Sequence, residues 1–301
     1  RGGKEPVIMN QGRIVKNYMG YYYVETAMHE IITCKVKGKM KQNRFSLCTG
    51  YYVKFEVSGS EGMITDILPR KNFLLRPIVA NIDLVVVTVS CSNPDFSFLI
   101  TDKLLALAEI ARIPGIICLT KVDIAPAGLV EKCCELYEKI GYKVFLVSAK
   151  EGIGIEELRA EVSEKLTVFA GPSGVGKSST LNAIDPNLNL VTGQVSEKIG
   201  RGRHTTRFAH FIPFAGGYLA DTPGFGNLTM EEIEANALPQ AFREFLKYAN
   251  NCRFTTCSHT HEPNCAVKEA VEAGEIATSR YNSYTSIMQE ILTKKEREGK
   301  K

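Results

Sequence analysis

The feature that most constrains the fold is a glycine-rich run at residues 171–179, which reads GPSGVGKSS. It matches the pattern G-x-x-x-x-G-K-[ST], and it lies between a strand-like run, KLTVFA, and a helix-like segment, SSTLNAI. A phosphate-binding loop requires this strand–loop–helix context. Its glycines let backbone N–H groups surround a phosphate, and the N-terminus of the helix adds positive potential. The run therefore predicts an α/β domain that binds a nucleotide.

Individual residues of this loop have separate expected roles. Lys177 would reach the β- and γ-phosphate oxygens, and Ser178 would ligate Mg²⁺. Further nucleotide contacts are expected from Gly171, Pro172, Ser173, Gly174, Val175, Gly176 and Ser179. A second motif, DTPG at residues 221–224, closes the predicted strand GYLADT. Asp221 would hold Mg²⁺ there, directly or through water, and the Gly224 N–H would meet the γ-phosphate.

Two more motifs stand at the ends of predicted strands, TKVD at residues 120–123 and SAK at residues 148–150. The first resembles the guanine-recognition motif of GTPases. Its aspartate, here Asp123, accepts two hydrogen bonds from a guanine edge that adenine lacks. The Lys121 stem would pack on the base, and the second motif would offer a backbone N–H to O6. Together they favour GTP over ATP, with contacts expected from Thr120, Lys121, Val122, Asp123, Ser148, Ala149 and Lys150.

The order of these motifs is unusual. In ordinary GTPases the P-loop comes first, followed by a switch threonine, D-x-x-G, the base motif and SAK. Here TKVD and SAK precede the P-loop, and D-x-x-G comes last. From Ile82 onward, continuous apolar runs alternate with helical segments, which is typical of a parallel α/β domain. The sequence therefore predicts a circularly permuted GTPase domain, in which spatial position rather than chain order assembles the site.

The segment GRGRHTTR at residues 200–207 lies where a switch I loop is expected. A threonine there would complete the Mg²⁺ coordination, and Thr206 is favoured over Thr205. Phe225 follows DTPG at a position where many GTPases have a water-orienting glutamine. Because a phenyl ring cannot polarise water, another group must do so. His204 is the candidate catalytic residue besides Lys177, and the alternative is that it is a solvent-exposed loop histidine.

The N-terminal part has a different pattern. Residues 10–70 contain five short runs rich in Val, Ile, Tyr and Thr and punctuated by glycine, which predicts a small closed barrel of the OB type. An SH3-like barrel would give much the same pattern, and residues 72–81 read as a linker. Residues 1–76 carry 13 lysines and arginines against six acidic residues. This excess indicates a polyanion partner or a solvated basic face. Met9 is expected to be the native start, with residues 1–8 an added segment.

A cysteine and histidine cluster marks the C-terminal part. Four side chains follow the spacing C-x4-C-x-H-x5-C, which supplies three thiolates and one imidazole to a structural zinc site: Cys252, Cys257, His259 and Cys265. Spacing alone leaves His261 as a competing ligand, and four reduced, unligated side chains are the alternative. Nine cysteines in 301 residues are too sparse for a secreted disulfide scaffold. This cysteine usage favours a reducing, cytoplasmic location. The longest apolar stretch has ten residues, which predicts no membrane span.

Taken together, the motifs TKVD, GPSGVGKSS, GRGRHTT and DTPGF and the zinc set resemble the small-ribosomal-subunit biogenesis GTPases of the RsgA/YjeQ type. The resemblance covers nearly the whole chain after Met9. It implies an OB barrel at residues 1–72, a permuted GTPase domain at 73–230 and a helical zinc-binding domain at 231–301. Thr120 stands where many members have asparagine.

The resemblance further implies hydrolysis of GTP to GDP and phosphate, stimulated by the 30S subunit during late maturation. It implies binding to 16S rRNA, one structural Zn²⁺ with His259 as the fourth ligand, Mg²⁺ with GTP, and a catalytic role for His204. A cytoplasmic monomer is expected. Two other classes stay open: a nucleotide-gated RNA-binding scaffold with incidental hydrolysis, and a P-loop ATPase or nucleotide kinase.

Overall fold

The computed structural model describes residues 9–36, 47–75, 78–190, 210–221 and 233–298. The N-terminal part is a closed barrel with the strand order β1-β2-β3-β5-β4, in which β3 and β5 are parallel and the other pairs antiparallel. This closed five-stranded arrangement confirms the predicted OB-type barrel. The strands are β1 (Met9–Tyr18), β2 (Tyr21–Thr26), β3 (Ile31–Val36), β4 (Tyr52–Ser58) and β5 (Glu61–Ile67).

A two-stranded antiparallel ribbon follows the barrel, formed by β6 (Phe73–Leu75) and β7 (Ile78–Ala80). The sequence predicted only a linker here, because three-residue strands show no readable alternation. The ribbon is closed by the buried Asn72, whose side chain both donates to the Ile82 carbonyl and accepts from its N–H, each at 2.8 Å. Strands β6 and β7 therefore form a structural element between the barrel and the next domain.

The middle of the chain forms a six-stranded sheet with the order β10-β9-β8-β11-β13-β12, parallel except for the edge strand β12. Its strands are β8 (Leu84–Ser90), β9 (Gly115–Thr120), β10 (Val144–Val147), β11 (Leu166–Ala170), β12 (His210–Phe214) and β13 (Gly217–Asp221). The helices are α1 (Phe98–Ile110), α2 (Leu129–Lys139), α3 (Ile155–Val162) and α4 (Lys177–Ile184). The carboxyl ends of the five parallel strands share one edge, which is where open α/β sheets bind ligands.

The C-terminal part is helical, with 3-10 helices at Ala235–Ala241 and Arg243–Phe245, then α5 (Leu246–Ala249), α6 (Ala266–Glu272) and α7 (Thr278–Glu298). Its apolar core includes Ala106 of α1. The fully buried Arg280 of α7 donates to Asp102 of α1 and to Glu244, each at 2.6 Å. Buried charges need such partners. Among the helices of the described ranges, none combines the length and apolar character that a membrane crossing demands.

Candidate nucleotide and metal sites

The P-loop follows β11 at Ala170 and leads into α4 at Lys177. Gly171 has φ +155°, and a Cβ there would lie 2.0 Å from the carbonyl oxygen of Thr88 on β8. Gly176 has φ +94° where the helix begins. Both positions therefore require glycine. Between them, Ser173 and Gly174 are exposed, Pro172 is half-buried and Val175 is buried.

Lys177 reaches back over this loop. Its ammonium donates to the carbonyl oxygens of Gly171 at 2.7 Å and Pro172 at 2.6 Å. Burial lowers the pKa of this lysine to about 8. A positive charge is thus held inside the turn of the P-loop, where phosphate oxygens would be bound.

Ser178 lies in the first turn of α4 and is 3 % exposed. Its Oγ has no hydrogen-bond partner among the described residues, which is uncommon for a buried hydroxyl. An oxygen left without a partner at this position fits an Mg²⁺ ligand. Ser179, the next residue, is half-buried. The neighbouring strand β13, paired in parallel with β11, ends at Asp221, so its backbone reaches the same sheet edge. His204, Thr206 and Gly224 lie outside the described residues.

The first base motif is attached to the P-loop by two contacts. The Lys121 ammonium donates to the Gly174 carbonyl at 2.9 Å and also to that of Asn93. The Thr120 hydroxyl lies 2.5 Å from the Val175 carbonyl oxygen. Threonine at this position therefore still braces the loop. Sequence reasoning missed Asn93, since a backbone carbonyl has no residue-type signature.

The two base motifs meet at Asp123 and Ser148. Asp123 lies in a short 3-10 helix, Val122–Ile124, directly after β9. Hydrogen bonding by the Ser148 side chain is the main reason that the pKa of Asp123 is lowered, and the charge of Lys150 contributes. Ala149 and Lys150 follow Ser148 in the turn after β10. The result is an exposed, ionised carboxylate suited to accept hydrogen bonds from a base edge.

The four C-terminal ligand candidates come together, with their ligand atoms all within 4.8 Å of one another: Cys252, Cys257, His259 and Cys265. The Sγ atoms of Cys252 and Cys265 are 3.9 Å apart, and His259 Nδ1 lies 3.6 Å and 3.4 Å from them. Tetrahedral zinc with ordinary bond lengths would give about 3.8 Å between sulfurs and about 3.6 Å from nitrogen to sulfur. The geometry fits zinc.

The structure also shows which of the two histidines is placed to bind zinc, a choice that spacing left open. His259 is 3 % exposed, and burial lowers its pKa, which favours the neutral imidazole that binds metal. His261 is exposed, and its Nδ1 contacts the Thr260 hydroxyl at 3.0 Å. The Tyr281 hydroxyl donates to the His259 carbonyl at 2.8 Å, so α7 supports the loop that holds the cluster.

Comparison with known proteins agrees with this architecture. The protein-family model for the RsgA N-terminal domain matches residues 11–64, and the family model for the RsgA GTPase matches residues 67–231. "Small ribosomal subunit biogenesis GTPase RsgA" of Caldanaerobacter subterraneus subsp. tengcongensis is 44 % identical over 292 residues, 96 % of this chain and 98 % of that protein. A protein of Oceanobacillus iheyensis named "Small ribosomal subunit biogenesis GTPase RsgA 2" is 44 % identical over 96 % of this chain and all of its own length.

Two solved structures are similar over nearly the whole chain. YjeQ from Thermotoga maritima superposes with a TM-score of 0.83 and 38 % identity, covering 95 % of this chain and 99 % of that one. YloQ, described as a circularly permuted GTPase, has a TM-score of 0.80 and 36 % identity, covering 95 % and 96 %. The permuted fold predicted from motif order is thereby confirmed. With its barrel, permuted site and Cys₃His cluster, the chain belongs to the RsgA family of GTP-hydrolysing enzymes.

Proposed function

We propose that this enzyme binds the 30S ribosomal subunit and hydrolyses GTP to GDP and phosphate during late maturation of that subunit, as a monomer in the cytoplasm. The observation that carries the proposal is similarity over 96 % of the chain to relatives named for small-subunit biogenesis. Stimulation by the subunit is part of the proposal.

The barrel supplies a surface suited to the 16S rRNA. Tyr18 and Tyr21 are exposed on it, and the Lys16 ammonium lies 5.7 Å from the ring centroid of Tyr18 and 5.3 Å from that of Tyr23. The Lys35 ammonium lies 5.1 Å from the Tyr21 ring. Exposed rings stack on bases, and lysines contact phosphates. This surface and the basic excess of residues 1–76 support RNA binding.

Each residue of the site has a proposed role in binding GTP or in hydrolysing it. Asp123 and Lys121 would hold the guanine base, while the P-loop amides and Lys177 would hold the phosphates. Ser178, Asp221 and Thr206 would ligate Mg²⁺, which neutralises charge on the β- and γ-phosphate oxygens when bound. His204 would orient the attacking water or take its proton, and Gly224 would sense the γ-phosphate. Lys177 would stabilise the charge that builds up on the transferring phosphoryl group.

This function predicts a low basal rate of GTP hydrolysis that rises strongly when 30S subunits are added. A non-hydrolysable GTP analogue should support tighter subunit binding than GDP, because the γ-phosphate orders the switch segments. Binding should weaken steeply with salt, since phosphate contacts release counterions. Multiple-turnover assays and sedimentation with subunits measure these effects. Subunit binding with an unchanged rate would favour the scaffold alternative instead.

Replacing Asp123 with asparagine is expected to weaken GTP binding by about 10- to 10²-fold, because one donor of the guanine edge loses its charged acceptor. Xanthosine nucleotides, which carry a carbonyl there, should bind more tightly than to the wild type. Fluorescent-nucleotide titration measures both affinities. Glu131→Gln, which neutralises an exposed carboxylate on α2, is the matched control. Equal GTP affinity in the Asp123 variant would remove this residue from base recognition.

One structural zinc ion per chain is expected, held by the Cys₃His cluster with no open position for water. His259→Ala should lose the metal and loosen the loop at residues 252–265, while GDP affinity stays within a few-fold. His261→Ala should keep one zinc and the wild-type melting temperature. Elemental analysis and thermal melting distinguish the pair. Equal zinc content in both variants would contradict the ligand assignment.

A further inference from the structure

The hairpin formed by β12 and β13 links the two proposed switch segments. Its open end pairs His210 with Asp221, and its turn lies at Ala215 and Gly216. In the chain, β12 follows residues 200–207, and β13 ends directly before residues 222–224. Any displacement of this hairpin would therefore move the attachment points of both segments together.

The barrel holds this hairpin by two contacts. Arg13 on β1 and Glu25 on β2 are direct neighbours across the strand pair. The Tyr218 hydroxyl on β13 donates to Glu25 Oε1 at 2.7 Å, although 193 residues separate the two. The Arg13 guanidinium lies 5.5 Å from the ring centroid of Phe211 on β12. The rings of Phe211 and Tyr218 are 5.8 Å apart, so the barrel contacts both strands of the hairpin.

These contacts are sheltered from water and fixed on the barrel side. The side chains of Arg13 and Glu25 are 12 % and 13 % exposed. Arg13 also donates to the Asn81 carbonyl at 2.7 Å, which anchors its guanidinium. Burial and the nearby Glu25 charge raise the pKa of Tyr218, so its hydroxyl stays a donor. Breaking a sheltered hydrogen bond between a hydroxyl and a carboxylate costs free energy. A displacement of the hairpin that breaks this bond is therefore unfavourable.

We infer that the Tyr218–Glu25 bond and the Arg13–Phe211 contact position the β12–β13 hairpin for GTP hydrolysis and couple the barrel to the nucleotide. Tyr218 and Glu25 are thus positioning residues, remote from the phosphates. Because coupling between two sites is reciprocal, a change from GDP to GTP must also alter the barrel. Transmission of 30S binding to turnover rests on the proposed function, whereas the effect of the nucleotide on the barrel does not.

The test compares the full-length wild type with Tyr218→Phe and Glu25→Ala. Tyr142→Phe is the matched control, since its hydroxyl makes the same kind of bond, 3.1 Å to Glu109, away from the hairpin. Hydrogen exchange of β1 and β2 is measured with GDP and with a non-hydrolysable GTP analogue. Wild type and control should show a nucleotide-dependent difference, and both test variants should lose it. Glu25→Gln, which keeps an acceptor oxygen, should restore part of it.

Turnover gives the second readout. Tyr218→Phe should keep GDP affinity and 30S affinity within about twofold and lower the 30S-stimulated kcat by about 3- to 30-fold. The double variant, Tyr218→Phe with Glu25→Ala, should lose no more than Glu25→Ala alone, because both substitutions remove the same Tyr218–Glu25 bond. A wild type with nucleotide-independent exchange in β1 and β2 overturns the inference, as does a control that loses as much as Tyr218→Phe. A wild type with the exchange difference but without 30S stimulation would instead remove the proposed function.

Discussion

Lys177→Ala is expected to abolish measurable GTP hydrolysis, with a loss of about 10³-fold or more in the single-turnover rate. The variant removes the cation that would meet the transferring phosphoryl group in a water-poor loop, where charge stabilisation is strongest. Lys143→Ala is the matched control, because that lysine pairs with Glu161 at 2.6 Å next to the amino end of β10, away from the site. Wild-type turnover in Lys177→Ala would contradict the P-loop assignment.

The lowered pKa of Lys177 also predicts how the GTP affinity of the wild type depends on pH. Below about pH 8 the free enzyme already carries the proton, so GTP affinity should be insensitive to pH there. Above that value the lysine is neutral in the free enzyme, and binding of phosphates must take up a proton. Affinity should then fall by up to about tenfold per pH unit. Lys177→Ala should lack this slope, which titrations between pH 7 and pH 9.5 would reveal.

His204→Ala should keep GTP and 30S binding but lose about 10²- to 10⁴-fold in stimulated turnover, the usual range for a group that orients or deprotonates water. Phe225 cannot perform that task, and His204 is the histidine of the proposed switch segment. His261→Ala removes an exposed histidine and is the control. Wild-type turnover of His204→Ala on 30S subunits would mean that the catalytic group comes from the ribosome.

Much of the nucleotide site could be predicted because its chemistry is local in sequence. A phosphate loop needs glycine where the backbone passes within contact distance of another strand, as Gly171 passes the Thr88 carbonyl. The buried runs of β8 and β11 revealed a parallel sheet, since both faces are covered. Motif order then gave the permutation, because each motif marks the end of one strand.

Other features depend on contacts that leave no pattern in the sequence. Spacing could not choose between His259 and His261, since both stand between Cys257 and Cys265 in the sequence. Asn93 takes part through its backbone carbonyl, which every residue type offers. The bond between Tyr218 and Glu25 joins strand β13 of the sheet to a barrel strand, and only tertiary packing brings them together.

Helix α1 limits how this chain can be divided experimentally. Leu104, Leu105 and Ala108 pack on the parallel sheet, whereas Ala106 packs in the C-terminal core, with Leu107 and Ile110 lying against it. A fragment that ended before residue 233 would expose this second apolar face and leave the carboxylate of Asp102 without Arg280. Removing one partner of a buried ion pair costs about 3–5 kcal/mol. The GTPase region is therefore not a detachable module, and its isolated fragment should be prone to misfolding and self-association.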